Sequence, residues 1–197
     1  MSLTVIKLGG SLMRSSELQY WLNSIFQVKR NSILILVPGG GEFADSIRKI
    51  QNNSNFNDEI AHKLALLAMA QYGYFLTSIN SNIKIIRNIN NLSVKKDSYN
   101  SYLWLPDSLL DDSLEIPKTW DITSDSISLW LATKLFAKKL IIIKSKKITL
   151  NKSKITEHGQ SNDLDKGFAS MHEKYQGDLF CLHKSEYNKL ESILSEK

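Results

Sequence analysis

The chain has 197 residues and a formal net charge of +5, from 25 Lys and Arg residues against 20 Asp and Glu residues. This length suits a single α/β domain with a real core, and the apolar fraction of 42% is ordinary for a globular protein. No apolar run approaches the roughly 18 residues of a membrane span, the N-terminus lacks the layout of a secretory signal, and the single cysteine excludes an internal disulfide. We therefore expect a cytoplasmic protein without a membrane partner.

The chain opens on a buried-strand pattern that ends in a glycine turn, Thr4-Val5-Ile6-Lys7-Leu8-Gly9-Gly10-Ser11. Ser15-Ser16-Glu17 then predicts a helix start, because a serine cap and an early acid suit the helix dipole. Apolar residues follow at helical spacing: Leu18, Trp21, Leu22, Ile25 and Phe26. The continuous apolar run 33–37 predicts a strand covered on both faces, as in a parallel sheet. Together these elements predict a right-handed βαβ unit.

A second glycine turn follows that strand, Pro38-Gly39-Gly40-Gly41-Glu42. Consecutive glycines cost conformational entropy and offer no side-chain packing, so we interpret them as allowing a ligand to approach the backbone. Helices are predicted from Glu42 to Ile50 and from Asp58 to about Leu76, separated by a polar break at 52–57. The apolar side of the second helix is predicted to consist of Ile60, Leu64, Leu67, Ala68 and Tyr72.

The second half continues the alternation of strands and helices. Short strands are predicted at 82–87 and 102–105, a loop at 107–118, and no element at 88–100. Further strands are predicted at 140–143, 148–150 and 178–182, with helices at 165–175 and around 187–194. Cys181 is predicted to be a packed thiol in one of these strands. The pattern is typical of a three-layer αβα sandwich with a mostly parallel central sheet.

A third informative stretch, Trp120-Asp121-Ile122-Thr123-Ser124-Asp125-Ser126-Ile127, opens a predicted helix that reaches Leu135. Its small polar residues could serve only to cap the helix, with more capping groups than a helix needs. Alternatively, the helix N-terminus and its hydroxyls hold a substrate while one aspartate orients a lysine.

Seven lysines cluster further along: Lys138, Lys139, Lys144, Lys146, Lys147, Lys152 and Lys154. They could face nucleotide phosphates, a nucleic acid or only solvent. No aromatic-interleaved or helix-turn-helix pattern accompanies them, so we expect no nucleic-acid partner.

The three stretches at 7–11, 38–42 and 121–125 together resemble the amino acid kinase superfamily, which includes acetylglutamate, aspartate, uridylate and carbamate kinases. Within it, residues 3–143 are similar to the aminomethylfuran-phosphate kinases of methanofuran biosynthesis. That similarity includes Ile47-Arg48-Lys49-Ile50, His62-Lys63-Leu64-Ala65 and Trp120.

The resemblance implies an ATP-dependent kinase, with Mg²⁺ brought by the nucleotide, that acts on a small-molecule phosphate or carboxylate. An aminomethylfuran phosphate of one-carbon carrier biosynthesis is the candidate acceptor. It also implies a homo-oligomer or a hetero-oligomer. Residues 1–197 would form one domain, with the acceptor side at 1–139 and a shortened nucleotide side at 140–197.

The resemblance also implies roles for individual residues. Lys7 would neutralise the transferring phosphoryl group, and Asp125 matches the family aspartate that orients the catalytic lysines. The implied phosphate- or acceptor-binding residues are Gly9, Gly10, Ser11, Gly39, Gly40, Gly41, Glu42, His62, Asp121, Thr123 and Ser124. For Lys7 the alternative is a lysine that only extends to solvent from a strand end, and for His62 it is a packed, neutral histidine. The other histidines lack metal-ligand spacing, so no metal cluster is expected.

The chain departs from the family pattern after the strand at 140–143. Family members usually continue with a Thr-Asp or similar pair, a glycine and a segment around the nucleotide, whereas this chain reads Lys144-Ser145-Lys146-Lys147-Ile148. Lys144 and Lys146 are the candidates for a second phosphate-binding lysine. Two hypotheses follow: a kinase with an abbreviated nucleotide lobe, or a non-catalytic relative that binds a small molecule or completes its site with a partner chain.

Overall fold

The computed structural model describes residues 2–26, 32–89, 101–110, 116–148 and 164–195. Its strands are β1 (Ser2–Leu8), β2 (Ser32–Pro38), β3 (Lys84–Ile86), β4 (Ser101–Trp104), β5 (Lys139–Lys144) and β6 (Asp178–His183). Its α-helices are α1 (Glu17–Phe26), α2 (Gly41–Ser54), α3 (Asp58–Ile79), α4 (Ser124–Lys134), α5 (Phe168–His172) and α6 (Leu190–Ser195). Short 3₁₀ helices lie at Gly10–Arg14, Pro106–Leu109 and Tyr187–Lys189.

The six strands form one sheet in the order β3-β4-β2-β1-β5-β6, and every neighbouring pair is parallel. Helices cover both of its faces, which confirms the predicted αβα sandwich. The chain leaves β1 toward β2 on one side, and β5 later joins β1 on the other side. The carboxyl ends of β1 and β5 therefore form the crevice where open parallel sheets bind their ligands.

Side-chain alternation along β1 divides the core into two layers. Ile6 and Leu8 point to the first layer, which α1, α3 and α6 cover with Trp21, Tyr72 and Leu190. The second layer contains the other face of β1 and β5, with residues such as Val5, Ile142, Leu129 and Phe168 under α4 and α5. Because side chains alternate, Lys7 and Lys144 share the face of Val5 and Ile142, and α4 covers that face.

The helix α3 differs from its prediction. It extends to Ile79, and its N-cap Asn57 accepts a hydrogen bond from the Ile60 N–H at 2.9 Å. The predicted apolar side is wrong in part, because Ile60 and Leu67 are 44% and 39% exposed. The helix contributes side chains to both core layers, so its buried residues do not follow one stripe.

Most other predicted elements are confirmed with shifted ends. The polar break begins only after Ser54, where Asn55 adopts a left-handed conformation with φ of 51°. The helix predicted at 165–175 is shorter, and most of the strand predicted at 148–150 lies outside the described residues. Cys181 packs against the second core layer, as predicted. Within the described ranges, no helix has both the length and the apolarity to cross a bilayer.

Candidate active site

Three charged side chains from distant parts of the chain meet at the carboxyl edge of the sheet. Nζ of Lys7, near the end of β1, lies 2.9 Å from Oδ1 of Asp125 in the first turn of α4. Nζ of Lys144, the last residue of β5, lies 2.6 Å from Oδ2 of the same carboxylate. Lys7 and Asp125 are only 4% and 3% exposed. The buried ion pair rules out a solvent-extended Lys7 and brings together three residues that the sequence analysis singled out.

The two ammonium groups control the ionisation of Asp125. Burial would raise the pKa of the Asp125 carboxyl, but Lys7 and Lys144 together lower it below its usual range. The carboxylate therefore stays ionised at neutral pH and fixes both ammonium groups at one point. Two positive charges against one negative charge leave an excess that suits an anionic ligand.

A second carboxylate, that of Asp165, occupies the N-terminus of α4. Its Oδ2 accepts hydrogen bonds from the Thr123 N–H at 2.7 Å, the Thr123 hydroxyl at 2.8 Å and the Ser126 N–H at 3.1 Å. Its Oδ1 accepts from the Ser126 hydroxyl. An internal carboxylate therefore takes the donor groups of Thr123, and the role of this residue beside an acceptor stays a prediction.

Two hollows flank the glycine turn after β1. One, of about 240 Å³, is lined by Lys7, Lys144 and Lys146 together with Gly9, Gly10, Ser11 and Ser145; we call it the lysine hollow. The other, of about 380 Å³, lies under α2 and α3; we call it the acceptor cavity. Gly10 and Ser11 line both, so the turn forms a thin wall between them.

The acceptor cavity combines an apolar lining with a charged wall. Apolar lining residues are Met13, Ala44, Ala65, Leu66, Met69, Ile122 and Ile127. Its charged residues form ion pairs, Arg14 with Glu42 and Arg48 with Asp45, the second at 2.9 Å. Trp120 also lines it, and its indole is held by the Arg48 guanidinium, 4.4 Å above the ring centroid. Such a cavity fits a small molecule with an apolar body and a charged group.

His62 lines the acceptor cavity from α3, although it is only 6% exposed. Burial lowers the pKa of its imidazole, against a hydrogen bond to the Thr119 backbone that raises it. The lowered pKa favours a neutral ring at pH 7, which supports the packed interpretation.

The glycine turns serve mainly to bring backbone against backbone. A Cβ at Gly10 would lie 2.1 Å from the Gly41 nitrogen, and one at Gly39 would lie 2.4 Å from the Gly10 nitrogen. The N–H groups of Gly9 and Gly39 donate to the carbonyls of Ile143 and Leu8, at 3.1 and 2.8 Å. These two N–H groups are therefore engaged in the backbone, whereas Gly10 and Gly40 donate to no acceptor among the described residues.

The remaining predicted residues divide between cavity and surface. Gly40, Gly41, Glu42 and Ser124 line the acceptor cavity. Asp121 is exposed and pairs with Lys166 at 3.2 Å, and its place beside the acceptor stays a prediction. Of the lysine cluster, Lys144 and Lys146 line the lysine hollow, while Lys152 and Lys154 lie outside the described residues. In the described ranges, no three His, Cys, Asp or Glu side chains are grouped as metal ligands.

Sequence reasoning missed Asp165 and the two arginines of the cavity wall. Arg48 lies within the stretch Ile47-Arg48-Lys49-Ile50, but nothing in its spacing indicates a ligand pocket. Asp165 follows a long polar segment without periodicity, so no local pattern connects it to Thr123, 42 residues earlier.

The central ion pairs predict a pH-dependent stability. At neutral pH, Asp125→Asn leaves two ammonium groups without their counter-charge and should lower the free energy of unfolding by about 3–5 kcal/mol. Because the pKa of Asp125 is lowered on folding, its stabilisation is full above its ordinary value of about 4 and is lost as pH falls through the lower folded value. Urea unfolding of both proteins at pH 7 and below pH 4 should show the difference narrowing in acid.

Asp121→Asn is the matched control, since its exposed pair should change stability by no more than about 0.5 kcal/mol. A difference between wild type and Asp125→Asn that stays constant down to pH 3 would contradict the assigned ion pairs.

Comparisons with known proteins agree with this geometry. Residues 2–97 match the model of the amino acid kinase family. A [5-(aminomethyl)furan-3-yl]methyl phosphate kinase of Methanocaldococcus jannaschii is 30% identical over 138 residues, and the match spans 70% of this chain and 63% of the relative's length.

Solved structures show the same fold. Uridylate kinase from Archaeoglobus fulgidus superposes with a TM-score of 0.73 at 16% identity, covering 100% of this chain and 97% of its own. Isopentenyl phosphate kinase from T. acidophilum, in a product complex, superposes with a TM-score of 0.54 at 10% identity, covering 100% and 97%. The chain is thus similar in sequence to the amino acid kinase family over residues 2–97, and it has the fold of these solved kinases.

Proposed function

We propose that this chain is an ATP-dependent kinase that transfers a phosphoryl group to a small anionic acceptor. The observation that carries the proposal is the Lys7–Asp125–Lys144 cluster, whose two lysines line the lysine hollow next to the turn that borders the acceptor cavity. Phosphoryl transfer needs little covalent chemistry from a protein; it depends on positioning and on positive charge at the transferring group. Two ammonium groups aimed by one buried carboxylate supply both.

The lysine hollow fits the phosphates of a nucleotide. Lys7, Lys144 and Lys146 would hold phosphate oxygens, and the N–H of Gly10 adds a neutral donor at the wall. Bound Mg-ATP would supply the phosphoryl group and a divalent cation that neutralises part of its charge. Residues 149–163, which follow this hollow in sequence, lie outside the described residues. The proposal divides the chain into an acceptor side at 1–139 and a short nucleotide side at 140–197.

For the acceptor, we propose an aminomethylfuran phosphate. The name of the Methanocaldococcus relative supports this choice. So do the apolar lining, the Trp120 ring and the presence of both arginine and carboxylate groups in the acceptor cavity, since such a molecule has an aromatic body, an amine and a phosphate.

The lone cysteine supports a cytoplasmic location, where a reducing environment keeps thiols free.

Replacing the lysines tests the chemistry. Lys7→Met and Lys144→Met each remove a cation from the transferring group and should lower kcat by about 10²–10³-fold. Because neither side chain lines the acceptor cavity, the KM for the acceptor should change little. Steady-state assays that measure the rate of ADP release at varied acceptor concentration give both kcat and KM.

Lys138→Met, at an exposed position before β5, is the matched control and should retain activity. Thermal shift with millimolar Mg-ATP addresses the alternative of a non-catalytic relative. If Mg-ATP neither binds nor stabilises the purified chain, the autonomous kinase is excluded, and a binder or a subunit that needs a partner chain takes its place.

Filling the acceptor cavity tests the assignment of its ligand. Ala65 lines the cavity from α3, so Ala65→Phe should raise the acceptor KM about tenfold or more, equal to a loss of at least about 1.4 kcal/mol in binding. Mg-ATP affinity, measured by calorimetry, should not change. Gln71→Phe, on an exposed position of the same helix, is the control. Equal KM values in the two variants would show that the acceptor binds elsewhere.

We further propose that the chain forms a homo-oligomer. Ile60, Leu67 and Tyr74 recur every seven residues along α3 and are 44%, 39% and 49% exposed, so they form an apolar stripe on one side of the helix. Light scattering should give a multiple of the 22.4 kDa chain mass, and Leu67→Lys should reduce it to the monomer. A monomeric wild type would refute this part.

A further inference from the structure

Asp165 replaces the usual local cap of α4. Thr123 stands at the N-cap position, yet its side chain makes no capping hydrogen bond, because the Ser126 N–H that it could accept from donates to Asp165 instead. The cap is thus supplied from 42 residues further along the chain, by a carboxylate that accepts from two N–H groups and two hydroxyls. A carboxylate at this end of a helix also interacts favourably with the positive end of the helix dipole.

The bonded residues bracket Asp125. Thr123 and Ser126 are both tied to Asp165, and Asp125 lies between them in the same helical turn. Ser126 is fully buried, so this turn has little room to move. The direction in which Asp125 points, and hence the position of the Lys7 and Lys144 ammonium groups, follows from how the turn is held.

The neighbouring negative charge argues against a purely structural origin. Burial and the Asp125 carboxylate raise the pKa of Asp165 above its usual range, against the hydrogen bonds from Ser126 and the Thr123 hydroxyl, which lower it. A helix start can be capped at less electrostatic cost by a neutral serine or asparagine. Capping α4 with a second acidic group near Asp125 therefore carries an electrostatic cost that a structural cap alone does not require.

We propose that Asp165 is a positioning residue: by capping α4 it fixes Asp125, which in turn aims Lys7 and Lys144 at the transferring phosphoryl group. The inference rests on the proposed kinase function for its kinetic consequence. The positioning of the lysines is a separate property that can be measured without any ligand.

The kinetic test is a double-mutant cycle. Asp165→Asn should lower kcat by about tenfold to 100-fold, the range for a small misplacement of reacting groups, with the acceptor KM unchanged. In the Asp125→Asn background the same substitution should cause no further loss, because its effect passes through Asp125. Additive losses, or a loss confined to KM, would overturn the inference. Ser126→Ala, which removes one of the four bonds, should show the same pattern more weakly and serves if Asp165→Asn does not fold.

The ligand-free test measures lysine reactivity. Acetic anhydride labelling followed by mass spectrometry should acetylate Lys144 and Lys7 severalfold faster in Asp165→Asn than in wild type. Lys139, buried at the opposite end of β5, is the internal reference and should not change. Ser101→Ala, which removes the bond from the Ser101 hydroxyl to the Ile25 carbonyl far from the site, is the control for general destabilisation.

The two tests separate the two proposals. Faster labelling of Lys144 and Lys7 without any turnover in wild type would refute the kinase and support the positioning role. Unchanged labelling, or an equal rise at Lys139, would refute the positioning role whatever the activity.

Discussion

A buried carboxylate shared by two ammonium groups is the constraint on which the rest of the structure depends. Neither Lys7 nor Asp125 could be buried alone, because an isolated charge in the interior costs far more than a fold can supply. Together they are stable, but two cations against one anion leave an excess of positive charge at the sheet edge. The ion-paired cluster that holds these charges in the fold is therefore also the place where the proposed function puts an anionic ligand.

The architecture delivers these charges from three separate segments. Parallel pairing brings the carboxyl ends of β1 and β5 side by side, with Leu8 opposite Ile143. Alternation along both strands then turns Lys7 and Lys144 toward the face that α4 covers. Only the N-terminus of α4 remains to be fixed, and Asp165 fixes it through four hydrogen bonds. Strand pairing, side-chain alternation and the helix cap thus each place one part of the cluster.

The sequence predicted the parts of the site that have a local signature. A lysine at a strand end before Gly-Gly-Ser and an aspartate in the first turn of a helix are both local patterns, so Lys7 and Asp125 could be identified. Lys144 was only a candidate, because nothing local distinguishes it from Lys146. Asp165 could not be identified, since a tertiary hydrogen bond between residues far apart in the chain produces no periodic pattern in the sequence. The buried side of α3 was partly wrong for a similar reason: two core layers contact it, and one stripe cannot describe both.

The glycine turns have a structural reason beside the predicted approach of a ligand. Their missing side chains first allow the two turns to touch, since a Cβ at Gly10 would lie 2.1 Å from the Gly41 nitrogen. Gly10 and Ser11 line both the lysine hollow and the acceptor cavity, so these two small residues stand between them. In the proposed transfer, the reacting atoms must approach to about 3–3.5 Å. Close backbone packing and ligand approach are then one requirement, because only a wall without side-chain bulk lets groups in the two hollows meet beside Lys7.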